Sequence, residues 1–179
     1  MPHVIEPASS GRAKCRGCAA RIAAGELRFG ERLPNPFAEE GGEMTHWYHV
    51  QCAAYRRPEA FLELMDSPDA PALENRDKLV ADARLGVTYR RVPRVNSAEP
   101  APTGRATCRS CKALIEKGAW RISLVFHEEG RFVPGGFVHA SCAVTYFETP
   151  EILARVKHFS PALGEAELAV LGGLIIPSA

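Results

Sequence analysis

The chain has 179 residues and a formal net charge of +1, with 46% hydrophobic and 24% charged residues. This composition is that of an ordinary globular protein and argues against intrinsic disorder. No segment approaches the roughly 18 uninterrupted apolar residues of a membrane span, and the N-terminus MPHVIEPASSGRAK lacks the apolar core of a signal peptide. We therefore expect an intracellular protein, located in the cytoplasm (nucleoid) or the nucleus.

The six cysteines fall into one pattern that occurs twice. A Cys-x-x-Cys pair is followed by His-x-x-Cys after 30 residues in the first half and after 27 in the second. In a reducing compartment this pattern favours metal binding over disulfides, and a zinc ion takes four tetrahedral ligands. We therefore predict two structural zinc ions with closed ligand sets, Cys15, Cys18, His49 and Cys52 for the first and Cys108, Cys111, His139 and Cys142 for the second.

The repeat extends beyond these ligands. GRAKCRGC at residues 11–18 returns as GRATCRSC at residues 104–111, a shift of 93 positions. Two similar modules are therefore predicted. His46 lies three residues before His49 and could compete for the first metal, but the second module has no histidine at the matching place. His49 is therefore the better choice of ligand.

Strands are predicted 12 to 16 residues after the first cysteine of each module. Alternation directs Leu27 and Phe29 to one core, and Trp120, Ile122 and Leu124 to the other, so that Arg28 and Arg121 face away from these cores.

Helices are predicted after the last zinc cysteine of each module. In the first module AAYRRPEAFLELM leads to NRDKLVADARLG, with Asn75 as N-cap and Gly86 just past the end. In the second module Ser160 caps SPALGEAELAVLGGLI, and Pro161 occupies its first turn.

These elements predict an α+β protein of two small zinc-finger modules. Each module is a short antiparallel sheet around a Cys3His site, with helices packed behind it. The predicted division is residues 1–86 for the first module with its helical extension and 103–179 for the second. Residues 87–102, with three arginines and three prolines, are predicted to form a basic, semi-rigid linker.

The first module resembles a known family in SGRAKC, in the Leu-Arg pair, and in HWYHVQC at residues 46–52. It is similar to the zinc fingers that open the poly(ADP-ribose) polymerases and that precede the catalytic core of a eukaryotic DNA ligase. The second module is a looser match, with GRATC, an arginine at the same offset and GGFVHASC at residues 135–142. Nothing in the chain resembles the polymerase catalytic domain, a Walker loop or a ligase lysine motif, so we expect no enzyme activity.

The resemblance implies that the fingers recognise DNA strand breaks. The arginine of Gly-Arg-Ala and the arginine of the following strand would bind backbone phosphate, and apolar side chains before the zinc histidine would stack on exposed bases. In the second module the alignment of the stacking loop is not unique. The implied phosphate ligands are Arg12, Arg28, Arg105 and Arg121, and the implied stacking residues are Phe37 and Met44 in the first module and Phe126, Phe132 or Val133 in the second.

The physical logic of break recognition stands beside the resemblance. An intact duplex hides its base faces, whereas a break uncovers one that an apolar side chain can cover, with ~1 to 3 kcal/mol per stacked base. Arginine–phosphate contacts add affinity that is independent of sequence and sensitive to salt. The expected partner is DNA with nicks, gaps or ends, bound by a monomer. The alternatives are an adaptor that binds a DNA-repair enzyme or another protein, and a protein that binds RNA ends or single strands.

Overall fold

The computed structural model describes residues 3–35 and 42–176. The chain divides into two compact units, residues 1–88 and 89–179. Each unit carries a three-stranded antiparallel sheet followed by helices, and the predicted α+β class with two zinc-finger modules is confirmed. Within the described residues, no helix combines the length and apolar character that crossing a membrane requires.

The sheet of the first unit has its second strand in the middle. Both strand pairings are antiparallel, and Arg28 lies opposite Glu6 on one side and His49 on the other. The central strand buries Phe29 completely, as alternation predicted, but Leu27 at its first position is 42% exposed. The strands are β1 (Val4–Pro7), β2 (Leu27–Pro34) and β3 (Glu43–His49).

Three helices follow this sheet: α1 (Val50–Arg56), α2 (Pro58–Met65) and α3 (Arg76–Thr88). The predicted helical segment after Cys52 is broken between α1 and α2, because a proline disfavours helical backbone in the residue before it, and Pro58 instead starts α2. Gly86 lies inside α3 and does not end it. The cost of ~1 kcal/mol for an interior glycine is offset by the packing of α3 against α1 and α2.

The second unit repeats this order with shorter helices. Val95 and Ile122 are buried in its sheet, and a register shift marks a bulge where its last two strands pair near Leu124. Short 3-10 helices precede the first strand (Val92–Arg94) and follow the last one (Ala140–Cys142). The strands are β4 (Val95–Pro100), β5 (Trp120–Glu128) and β6 (Arg131–His139), and the helices are α4 (Ala143–Phe147), α5 (Leu153–Phe159) and α6 (Glu165–Ile175).

The structure corrects the interpretation of residues 87–102 as a linker. Residues 87 and 88 end α3, and residues 95–100 form β4, which pairs with β5 as the first strand of the second sheet. Val95 and Ala98 are buried on this strand. The three prolines do not interrupt this strand, because Pro93 lies in the preceding 3-10 helix, Pro100 is the last residue of the edge strand and Pro102 follows it.

The structure also corrects the start of the last helix. α6 begins at Glu165 with Gly164 as its N-cap, and the Glu167 carboxylate accepts a hydrogen bond from the Gly164 backbone at 2.9 Å. Ser160 is therefore not the N-cap of this helix and instead follows the last residue of α5 as its C-cap. Its hydroxyl accepts a hydrogen bond from the Ala98 backbone at 2.9 Å and so ties the end of α5 to β4.

The two units differ in how they fill equivalent core positions. In the first unit the Glu31 carboxylate, 1% exposed, accepts two hydrogen bonds from Arg57 at 2.6 and 2.9 Å and one from the Tyr48 hydroxyl at 3.3 Å. The second unit has buried apolar side chains at the matching positions. Glu31 matches Leu124 by the shift of 93, whereas Tyr48 and Arg57 match Val138 and Phe147 by a shift of 90, the one that relates His49 to His139. The same fold is thus built with a buried ion pair in one unit and without it in the other.

Candidate zinc centres and nucleic-acid interface

Each Cys-x-x-Cys pair lies in a tight knuckle of the same conformation. In both knuckles the residue after the second cysteine has a positive φ, 63° at Ala19 and 66° at Lys112, and its amide donates to the carbonyl of the first cysteine. The amide of each zinc histidine donates to the first cysteine sulfur, at 3.3 Å for His49 and 3.4 Å for His139. The local backbone therefore brings the two halves of each ligand set together.

The ligand atoms of the first set have the spacing of a tetrahedral site. His49 Nδ1 lies 3.4 Å from the Cys18 sulfur and 3.8 Å from the Cys52 sulfur. Zinc bonds of about 2.3 Å to sulfur and 2.0 to 2.1 Å to nitrogen would place these atoms about 3.5 Å apart. The other ring nitrogen, Nε2, lies 3.2 Å from the carbonyl oxygen of Arg21, which orients the imidazole with Nδ1 toward the sulfurs.

The second set reproduces this geometry. His139 Nδ1 lies 3.5 Å from the Cys111 sulfur and 3.8 Å from the Cys142 sulfur, and Nε2 lies 3.2 Å from the Leu114 carbonyl oxygen. Leu114 and Arg21 are related by the same 93-residue shift as the knuckles. The residues that orient the zinc ligands are therefore repeated together with the ligands.

In each cluster the neighbouring thiols and burial raise the pKa of at least one cysteine. Hydrogen bonds with Cys15 and Cys18, followed by burial, raise the pKa of Cys52 well above its ordinary value. In the second cluster, the pKa of Cys142 is raised to about 12, first by burial and then by the hydrogen bond with Cys111. Three thiolates cannot coexist at such short range near neutral pH unless a metal ion balances their charge.

The two predicted ligand sets are the two groups whose metal-binding atoms come within 4.8 Å of one another in the part of the chain that the structure describes. His46 is in neither group. It is 4% exposed and lies across the strand pair from Glu31, and burial followed by the charge of Arg16 lowers its pKa. His49 rather than His46 is the histidine in the first group, and the two Cys3His sets fit two zinc ions.

Arg28 is held between an aromatic ring and a carboxylate. Its guanidinium lies 3.6 Å above the Trp47 ring and donates to Glu6 at 2.7 Å, and the residue is 8% exposed. Its Nε is buried with no hydrogen-bond partner. Strand alternation did turn this side chain away from Phe29, but onto a covered face of the sheet.

Arg121 has the same arrangement in the second unit. Its guanidinium lies 3.7 Å above the Phe137 ring, its Nε donates to Glu99 at 3.1 Å, and the residue is 7% exposed. The repeat relates Glu6 to Glu99 by the shift of 93, and Trp47 to Phe137 by the shift of 90 that also relates the two zinc histidines. The sequence analysis missed the two acids, although extending the 93-residue shift upstream of each knuckle would have found them.

Arg12 and Arg105 are both exposed. Each lies on the segment that leads into its knuckle, three residues before the first zinc cysteine. Of the four predicted phosphate ligands these two can therefore be reached by an anion without rearrangement of the protein, whereas Arg28 and Arg121 would have to share their charge with a carboxylate.

The described stacking candidates lie on the strands that precede the zinc histidines. Phe37 lies outside the described residues, and Met44 is partly exposed opposite Leu33 near the end of the β2–β3 pair. In the second unit Phe126 and Phe132 are both partly exposed. Phe132 lies opposite His127, one position further along the strand pair than Phe126, so the two rings point to opposite faces of the hairpin. One base face cannot be covered by both.

The fold and the two centres define a tandem Cys3His zinc-finger protein. Residues 6–88 match the family described as the poly(ADP-ribose) polymerase and DNA-ligase zinc-finger region. The chain as a whole resembles proteins that carry such fingers, and the resemblance noted from the sequence is confirmed.

Several curated relatives show this resemblance. The chain is 30% identical over 137 residues to poly [ADP-ribose] polymerase 1 of Gallus gallus, a match that covers 68% of this chain and 13% of the relative. It is 28% identical over 162 residues to a poly [ADP-ribose] polymerase of Sarcophaga peregrina, covering 79% and 16%. A third relative is the polynucleotide 3'-phosphatase ZDP of Arabidopsis thaliana, 26% identical over 168 residues, covering 79% and 24%. The chain therefore spans 13 to 24% of the length of these three relatives.

Proposed function

We propose that this chain is a binding module that recognises interruptions in duplex DNA. The observation that carries the proposal is the match of residues 6–88 to fingers shared by poly(ADP-ribose) polymerases and DNA ligases, together with a second unit that repeats the zinc centre and the arginine–aromatic pair. The names of the matched proteins include enzymes that act on DNA or on polynucleotide ends. Both zinc sites have four protein ligands and no open position, which supports a structural role for the metal.

In each finger the arginines contact the phosphate backbone, and the apolar side chains of the hairpin contact the exposed base. Exposed Arg12 and Arg105 bind phosphate and supply affinity that does not depend on sequence. Arg28 and Arg121 add charge from fixed positions and exchange part of their ion pairs with Glu6 and Glu99 for phosphate.

The hairpin supplies the apolar side chains that cover the exposed base. In the first finger these are Phe37 and Met44. In the second finger the candidates are Phe126, whose ring lies within cation–π distance of Arg94 and Arg109, and Phe132, whose ring lies 4.9 Å from the His127 ring.

The proposal is tested by competition between DNA forms of one sequence. Labelled nicked duplex is bound to the zinc-loaded chain and displaced by nicked, gapped, blunt-ended or closed circular DNA. Break recognition predicts that closed circular DNA competes at least tenfold less well than nicked DNA, since it offers no base face. Equal competition by the closed form would refute the proposal. Arms with single-stranded DNA and with nicked RNA–DNA hybrids identify the preferred nucleic acid.

A second function, that of an adaptor for a DNA-repair enzyme, is favoured by one observation. Arg28 and Arg121 are nearly buried and already paired with carboxylates, as side chains that serve only to stabilise their unit would be. If the chain is an adaptor, we expect the double variant Arg12→Gln with Arg105→Gln to retain the weak DNA binding of the parent. Break recognition predicts that the same double variant lowers the slope of log affinity against log salt by about 2.

A further inference from the structure

The second unit has a group of arginines that neither the zinc centre nor the family motif requires. Arg94 lies 4.7 Å and Arg109 lies 5.5 Å from the centre of the Phe126 ring. Arg91 lies 5.1 Å from the centre of the Tyr146 ring and donates to the Tyr146 carbonyl oxygen at 3.0 Å. Arg94 links the two rings, because its Nη1 also donates to the Tyr146 hydroxyl at 3.3 Å. We call Arg91, Arg94 and Arg109 the arginine cluster.

The backbone of the second unit is shaped to hold this cluster. Two consecutive glycines form the bulge between β5 and β6, and a Cβ at Gly135 would lie 2.3 Å from the Phe126 ring. Gly136 has a φ of +89°, and a Cβ there would lie 3.1 Å from the Arg109 Nε. The Phe126 ring therefore packs directly on the backbone of Gly135, and the Arg109 side chain packs on Gly136. A side chain at either glycine would occupy space that the cluster uses.

The charge of the cluster is not neutralised within its unit. Over residues 3–35 and 42–176, no carboxylate forms an ion pair with Arg91, Arg94 or Arg109. Arg91 and Arg109 are exposed and Arg94 is partly exposed. Three positive charges in one region of a surface repel one another, and a bound anion relieves that repulsion. This distinguishes the cluster from Arg28 and Arg121, which already have Glu6 and Glu99 as partners.

We propose that the arginine cluster is a second binding site for the phosphate backbone of DNA, present in the second unit alone. A guanidinium carries five N–H donors in a planar fork that matches the paired oxygens of a phosphate. The hydrogen bonds that Arg91 and Arg94 make to Tyr146 each use an Nη1 donor, and the remaining donors are the ones proposed to meet phosphate. Arg109 lies within the zinc knuckle, and exposed Arg105 precedes the knuckle by three residues, so the site continues the proposed interface. This inference rests on the proposed function and deepens it.

The first unit cannot form the same site. The repeat matches Phe126 with Leu33, Tyr146 with Arg56, and Gly135 with Thr45. No ring corresponds to Phe126 or Tyr146, and a side chain occupies the place of the bulge glycine. The two fingers are therefore unequal, since the second one holds intact backbone on either side of a break more strongly than the first.

The test is a triple substitution to glutamine at Arg91, Arg94 and Arg109, in the full zinc-loaded chain. Binding to nicked and to closed circular duplex is measured from low to moderate salt. The slope of log affinity against log salt should fall by about 3 on both DNAs, about 1 for each lost phosphate contact, and the preference for nicked DNA should stay the same. A matched control, Lys78→Gln with Arg84→Gln and Lys157→Gln, removes equal charge from exposed positions on helices α3 and α5 and should leave the slope unchanged.

Two further variants separate the loss of binding from misfolding. Arg109→Gln alone removes an exposed side chain and should lower the slope by about 1. The triple substitution to lysine keeps the charges and should retain most of the slope. Circular dichroism and zinc content are measured for each variant.

The outcomes distinguish this inference from the proposed function. A folded glutamine triple variant that keeps the parent slope overturns the inference, and the proposed function stands if the parent still prefers nicked DNA. A parent without that preference refutes the proposed function, while a slope that falls by 3 still assigns the cluster to the backbone. A final arm uses polyglutamate as the competitor. If polyglutamate displaces bound DNA as effectively as unlabelled DNA of equal charge, the cluster binds an acidic protein and the inference is overturned.

Discussion

Removing Arg57 should destabilise the first unit strongly, because it leaves a buried carboxylate without its cation. Glu31 is 1% exposed and takes two hydrogen bonds of 2.6 and 2.9 Å from the Arg57 guanidinium. Breaking a buried pair from one side costs ~3 to 5 kcal/mol, whereas replacing both partners by apolar residues of similar size is often neutral. We therefore expect Arg57→Met to cost ~3 to 5 kcal/mol of unfolding free energy, and Glu31→Leu with Arg57→Met to recover most of it.

The second unit supplies the rationale for the recovery, since it has Leu124 and Phe147 at the matched positions. The Tyr48 hydroxyl, which donates to Glu31 at 3.3 Å, would lose that partner in the double variant. Adding Tyr48→Phe should therefore restore a further ~1 kcal/mol.

The assay uses urea unfolding at a fixed excess of zinc, so that the folded state of every variant is saturated with metal at the same free zinc concentration. The chain has two tryptophans, Trp47 in the first unit and Trp120 in the second. A Trp120→Phe background makes fluorescence report on the first unit alone. An Arg57→Met variant that loses less than 1 kcal/mol, or a double variant as unstable as the sum of its single variants, would refute the reasoning.

Three further predictions concern the metals, the bulge and the stacking loop. Metal analysis of the folded chain should give two zinc ions, and a strong chelator should unfold both units, because a structural zinc site contributes ~10 kcal/mol or more to folding; one zinc per chain would contradict the assignment. Gly135→Ala should cost ~1 to 3 kcal/mol in thermal or urea unfolding, since its Cβ would lie 2.3 Å from the Phe126 ring, and Phe126→Leu in the same background should recover part of that loss. Changing Phe37 and Met44 together to alanine should lower affinity for nicked DNA by ~1 to 3 kcal/mol and leave closed circular DNA almost unaffected. In a folded, zinc-loaded double variant, an unchanged nick preference would show that this loop does not cover the base.

The zinc centres could be predicted fully from the sequence. Four ligands at fixed spacing, occurring twice, leave few alternatives, and the second module decided between His46 and His49. A metal site can be predicted in this way because it depends on the types of its ligand residues and on their spacing, and both can be read from the sequence.

The environment of the arginines could not be predicted in the same way. Alternation places Arg28 opposite Phe29 but gives no information on what covers that face. The acid that pairs with it lies on another strand, 22 residues earlier in the chain. A contact of this kind depends on sheet register, and register was not predicted.

The segment around β4 was misread for a related reason. Three arginines and three prolines give residues 87–102 the composition of a linker. An edge strand needs few apolar residues, and here Val95 and Ala98 are buried while their neighbours are at least partly exposed. Local composition therefore outweighed a weak pattern, and the arginine cluster that depends on this segment was missed with it.

The difference in spacing between the two modules lies in the hairpin beyond the metal. His49 follows Arg28 by 21 residues and His139 follows Arg121 by 18, yet each pair lies directly opposite in its sheet. The extra residues of the first module therefore extend the hairpin at its far end and leave the metal frame unchanged. Lengthening a surface loop costs little, about 0.6 kcal/mol for each doubling. The chain between the zinc-bearing ends of the two hairpin strands can therefore differ in length at low cost while the positions of the zinc ligands stay fixed.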